Sequence, residues 1–183
     1  MTLTVVTPPD GEAVSLSSAK SYLRLGHDGE DDLVASLIAG AVAAVEEAAG
    51  FCLLSRTLRE TFLAWPQGLL RTSQLKLGGR PVTSLVDVGL VDAEGVSTDI
   101  SGRFGLEGDR ICLRPGSWLP RIPPGGRVEI DFIAGFGAAD DVPDDLKLAI
   151  LIMIEAAYRR GGSEGAMPDA AARLIDARRE VRL

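Results

Sequence analysis

The stretch PDDLKLAILIMIEAAYRR, Pro143 to Arg160, decides how this chain is read. Asp140 and Asp141 precede its proline, and Asp144 and Asp145 follow it. Acids and a fixed φ belong at a helix start, where unpaired N–H groups and the positive dipole end favour them. Arg159 and Arg160 fall in the last turn, and Gly161 can adopt the left-handed stop. Both ends therefore specify one helix of about five turns. Its middle, Leu146 to Ile154, is apolar except for Lys147. A helix apolar on nearly every side is either a membrane span or buried all round. Lys147 and Glu155 cut the run well short of the roughly 18 apolar residues a span requires. The stretch predicts a central helix, with one face available for another subunit.

The remaining chain can enclose such a helix. Its 183 residues, 46% hydrophobic, suffice for one good core with a small appendage. The net charge of −7 argues against a general nucleic-acid binder, although not against a protein standing beside DNA in an assembly. Cys52 and Cys112 lack metal-like spacing and read as two buried thiols of a reducing compartment. The opening MTLTVVTPPDGE has no basic region followed by an apolar one, so no signal peptide is expected. A soluble intracellular protein, with no membrane partner, is predicted.

Around the central helix, two helices come first. Ser15 or Ser17 caps a short one carrying Leu16, Ala19, Tyr22 and Leu23, which ends at Gly26. Asp28, Glu30, Asp31 and Asp32 open a longer one that runs through Leu33, Leu37, Ile38, Ala41, Val42, Val45 and Ala48 to Gly50. Gly40, Ala41, Ala43 and Ala44 thin its middle, so a partner such as the 143–160 helix can approach closely. Short strands follow: Leu54 to Trp65, Leu75 to Leu77, Ser84 to Val91 turning at Asp92 to Gly95, and Arg110 to Arg114. Residues 67–73 and the proline-rich 114–126 read as loops. Arg127 to Ile133 is the cleanest strand, with Val128, Ile130 and Phe132 inward and Arg127, Glu129 and Asp131 outward. Thr2 to Val6 adds a short strand at the start.

Strands grouped apart from helices predict an α+β fold. Residues 1–161 form one body, helical over 15–50 and 142–161, with an antiparallel β-rich insertion over 51–137. Residues 162–183 are a linker and a C-terminal tail, the flexible stretch GGSEGAM running from Gly161 to Met167 and the tail from Pro168 to Leu183. That tail has little reason to fold on the body. It reads either as a frayed terminus or as a segment that docks onto a partner.

The inventory lacks catalytic chemistry. His27 is the sole histidine and sits in a turn, where a cap or surface hydrogen bond is the plainer role. No GxSxG, HExxH, P-loop or GxGxxG occurs. The acids at 28–32 and 140–145 each begin a helix, and the dipole accounts for them without a metal. Gly78-Gly79-Arg80-Pro81 and Gly125-Gly126-Arg127 open no helix and read as turns. Trp65 and Trp118 read as core residues, with an interface role the alternative. No catalytic residue, cofactor or metal ligand is assigned, and the chain is not expected to be an enzyme. A metal-dependent enzyme using the acid clusters is the dissenting reading.

Taken in order, four segments resemble the head–tail connector, or adaptor, family of long-tailed phages and gene transfer agents. LSSAKSYLRLGHDGEDDLVASLIAGAVAAVEEAAG matches its opening, including an L-R-x-x-H turn at Leu23 to His27. LLSRTLRETFLAWP is similar to the strand that follows, and LKLGGRPVTSLVDVGLVDAEG to its hairpin. RVEIDFIAGFGAADDVPDDLKLAILIMIEAAYRRGG resembles its last strand, glycine-aromatic-glycine turn and buried helix. The resemblance implies a ring, typically of twelve copies, beneath the portal protein at the head–tail junction of the particle. DNA would pass through its channel without sequence-specific binding, and a stopper or terminator would meet it on the tail side. Before assembly the protein would reside in the cytoplasm of the producing bacterium. Another virion component, such as a stopper or tail-terminator, is the alternative. Within this reading Leu174, Ile175, Val181 and Leu183 anchor the tail in the portal, while Arg178, Arg179 and Arg182 pair with portal acids or carbonyls. Leu148, Leu151, Ile152, Leu37 and Ala41 are assigned to subunit packing.

Overall fold

Strand and helix periodicities sort the chain into two units. The computed structural model describes residues 1–161 and 166–178. In chain order the elements are β1 (Thr2–Thr7), α1 (Leu16–Leu23), α2 (Asp31–Ala49), β2 (Arg56–Phe62), α3 (Gln67–Thr72), β3 (Gln74–Lys76), β4 (Val82–Val91), β5 (Ser97–Asp99), β6 (Phe104–Glu107), β7 (Arg110–Leu113), β8 (Arg127–Ala134), α4 (Asp144–Arg159) and α5 (Asp169–Asp176). One unit takes Met1–Asp10 and Ser55–Gly135; the other takes Gly11–Leu54 and the chain from Phe136 onward. The fold is α+β, with every strand pairing antiparallel. No helix of the described residues is long and apolar enough to cross a membrane.

In the β unit, five strands pair in the order β1-β2-β8-β4-β5 and three more in the order β3-β7-β6. β8 is central because it alternates most cleanly: Val128, Ile130 and Phe132 are fully buried. Its other face carries acids, which β2 matches. Arg59 stands directly opposite Asp131 in the register and donates both Nε and Nη2 to it, at 2.7 and 2.8 Å. The paired charges let a central strand carry polar residues on that face.

Three readings of this region are corrected. Residues 67–73 contain the helix α3, held by the extended Pro66 before it, buried Leu69 within it and left-handed Ser73 after it. Six residues are too few to display a helical period. β5 and β6 were not anticipated, since β5 is short, polar and wholly exposed. The two tryptophans also part company. Trp65 donates its indole N–H to the Pro120 carbonyl at 2.7 Å and stacks beside Phe104, whereas Trp118 is 67% exposed under the Arg103 guanidinium. The Gly125-Gly126 pair is a turn, and a Cβ at Gly126 would collide with the Val91 carbonyl.

In the helical unit, α4 packs against α2 and α5, and α1 lies beside them. Val34, Ile38, Ala41 and Val45 of α2 meet Leu146, Ala149, Ile150 and Ile154 of α4 in one core. The thin middle expected of α2 splits across two faces. Ala41 is buried, but Gly40 and Ala43 are exposed, because about 100° per residue carries them away from the 34/38/41/45 stripe. α2 ends at left-handed Gly50, as its sequence requires. α1 does not run to Gly26: it stops at Arg24, whose φ of 60° makes it a left-handed cap without being glycine.

Candidate functional site

The residues assigned to subunit packing and to the tail lie in the helical unit. α4 is less enclosed than its composition predicts. Leu148 is 41% exposed, Leu151 and Ile152 are half-buried, and Leu37 of α2 is likewise half-buried. Ala41, by contrast, is spent inside the subunit's own core. Of the five residues assigned to subunit packing, Leu148 is the most exposed, Leu37, Leu151 and Ile152 flank the core, and Ala41 is buried within it.

α5 corrects the expectation that the tail stands away from the body. Ala171 and Ile175 are fully buried in the helical core, and Leu174 and Met167 pack against it half-buried. Positions 171, 174 and 175 recur at i, i+3 and i+4, which gives this eight-residue helix one apolar face. Arg178 then donates to Asp145 in the first turn of α4, clasping the end of α5 to the body. Arg179, Val181, Arg182 and Leu183 lie outside the described residues.

The C-terminal ends of α1 and α4 enclose a groove of about 510 Å³, lined by Tyr22, Leu23, Arg24, Glu155, Tyr158 and Arg159. Ser15 caps α1 by accepting the Ser18 N–H, and Arg24 closes it by donating its own N–H to the carbonyls of Lys20 and Ser21. That geometry turns the Arg24 side chain into the groove, as one of its lining residues. Glu155 is occupied by Arg159 at 2.6 Å, one turn along. Tyr158 donates its hydroxyl to Glu30 at 2.7 Å, and this bond holds the phenol above its usual pKa. His27 stands 3.9 Å from the same Glu30, a surface turn contact of the plain kind. Behind them, Lys20 bridges Asp28 and Asp31, at 2.5 and 2.6 Å, and tacks the α1–α2 turn together. The acids at 28–32 thus have structural partners as well as a helix start to stabilise.

Among the described residues, no group of three or more His, Cys, Asp or Glu is placed to hold a metal ion. Cys112 is buried and Cys52 half-buried, and neither forms a disulfide. Burial, with Glu107 nearby, raises the Cys112 thiol above its ordinary value and keeps it protonated. One buried group escaped sequence reading altogether. Glu60 of β2 is fully enclosed between the inward-facing Leu58 and Phe62. Its Oε1 accepts the Gly78 N–H, while Oε2 has no hydrogen-bond partner among the described residues. The period-2 alternation of RTLRETF placed Glu60 on the inward face, and that was the available signal.

No protein-family model matches the chain, and no curated protein does. Solved structures do match, over its whole length. The neck of an empty gene transfer agent particle, computed with C6 symmetry, contains a chain 36% identical to this one, with a TM-score of 0.85. The virion of a native gene transfer agent particle contains one 35% identical, at 0.84. The neck of a native particle, computed with C12 symmetry, contains one 35% identical, at 0.82. Each comparison covers 100% of this chain and 97% of the other. Likeness of that extent fixes the family: the chain belongs to the head–tail connector proteins represented in the gene transfer agent neck, as a structural component of a virion-type particle.

Proposed function

We propose that the chain is the adaptor of that neck, a ring of copies seated on the portal protein that continues the DNA channel toward a tail-side stopper or terminator. The observation that carries this reading is the full-length likeness to chains in necks computed with C6 and C12 symmetry. A head-to-tail ring of twelve suits a subunit whose α4 is buried on one side and offers Leu148 on the other. The net charge of −7 suits a channel that DNA must traverse without sticking. The role is structural and needs no catalysis, cofactor or metal.

Portal attachment belongs to the chain beyond α5. Arg179, Val181, Arg182 and Leu183 supply cations and apolar side chains for a portal groove, while Arg178, engaged by Asp145, marks where the arm leaves the body. Leu174 and Ile175 take a different part from the one their sequence suggested: they hold α5 to the body as the base of that arm.

The test is a native-mass measurement of the full-length chain, alone and mixed with the portal protein of its particle, beside a chain ending at Arg178. The expected result is a multi-copy ring on the portal for the full-length chain and none for the shortened one. If neither chain joins the portal but both join a tail-side component, the stopper or terminator reading replaces this one.

A further inference from the structure

The groove between the ends of α1 and α4 contains a cation, Arg24, that forms no ion pair among the described residues. Glu155 is held by Arg159 and Glu30 by Tyr158, so the carboxylates at this site are already engaged. The Arg24 guanidinium has no carboxylate partner among the described residues. Its backbone is also in an unfavourable state for any residue but glycine, at φ 60° and ψ 37°. A side chain kept at a left-handed position that glycine would occupy more comfortably points to a use for that side chain. Arg24 lines the groove together with Tyr22 and Tyr158, and its planar fork of donors suits a carboxylate arriving from outside.

The opposite end of α4 presents the complementary chemistry. Asp140 is exposed, and its carboxylate has no partner among the described residues. Asp144 is fully exposed, with only Lys147 near it at 3.9 Å. A 16-residue helix separates the two ends by about 24 Å, so they cannot meet within one subunit. They can meet between subunits, and a contact joining two different patches of one chain closes into a ring when the rotation between neighbours divides a full turn.

We infer that the Arg24 groove receives the Asp140–Asp144 end of α4 from a second copy of this chain, making it the polar joint between neighbours. The inference rests on the ring proposed above and assigns the residues of its subunit contact. The polar rim of such a joint sets register and encounter, while the neighbouring apolar flank of α4 adds buried area.

The experiment uses the full-length chain with the portal protein of its particle and reads the concentration at which half the chain is in rings. Arg24→Glu is expected to raise that concentration tenfold or more, as is the pair Asp140→Arg with Asp144→Arg. Combining the reversals should restore assembly to within about threefold of the natural chain. Arg24→Gly guards against a trivial folding defect. It relieves the left-handed strain, so its melting temperature should hold or rise while assembly falls. Full assembly by Arg24→Gly and Arg24→Glu, or no rescue by the combined reversals, overturns the inference and leaves the ring intact. Absence of rings from the natural chain instead overturns the adaptor reading, and this joint with it.

Discussion

At the scale of single residues, Glu60 has the clearest consequence. Burial raises its pKa above the usual glutamate value, and the Gly78 N–H offsets this only in part. For an acid whose folded pKa is raised, the stabilising form is the protonated one. Stability is therefore greatest at low pH and is lost as pH climbs from the ordinary glutamate range through the raised value. Chemical denaturation of the natural chain should show stability falling over that interval, whereas Glu60→Gln should flatten the profile and equal or exceed the natural chain at neutral pH. An unchanged slope would mean the carboxylate is not enclosed as described. Asp131 is the contrasting case: read as outward, it lies on the face of β8 opposite Ile130 yet is largely buried, because both arms of the Arg59 fork cover and satisfy it. The alternation of RVEIDFIA made its side legible, and its partner was legible only through the register of β2 with β8. The end of α1 was misplaced for a related reason. Gly26 is the conventional helix stop, and nothing local reveals that the left-handed turn falls two residues earlier.

At the scale of elements, α2 and α4 were legible from sequence because their termini carry acids, proline and glycine in the positions physics assigns them. α5 was not, and the difference is instructive. Eight residues with two acids and an arginine carry too weak a pattern to outweigh a glycine-rich linker before them. Only the available cleft beside α2 and α4 makes burial of Ala171 and Ile175 worthwhile. Ile175→Ala should accordingly cost about 2–4 kcal/mol in equilibrium denaturation. A change below about 0.5 kcal/mol is what an unattached tail would give. The same logic limits where the tail can be cut: a chain ending before Pro168 would uncover the Ile175 and Ala171 sites of the core, so loss of portal binding in such a chain would not isolate the arm.

At the scale of the whole molecule, the proposed joint is electrostatic and partly solvated. Ring assembly should therefore weaken several-fold between about 0.1 and 0.5 M salt, over which the screening length falls from about 10 Å to under half of that. Sedimentation across a salt series measures this, and a ring held by apolar contact alone would hold or strengthen. The connectivity of the two units carries a further consequence, for the order in which the protein comes into being. α1 and α2 leave the ribosome with their apolar stripe complete, but α4 follows only after the 81 residues of Ser55–Gly135. β1 likewise waits for β2 across the whole α1–α2 segment. Contacts so distant in sequence are slow to form, because chain entropy must be lost before they return anything. During synthesis the α2 stripe is thus a sticky surface awaiting its lid, and the nascent chain is most prone to aggregate, or to need a chaperone, in the interval before residue 144 emerges.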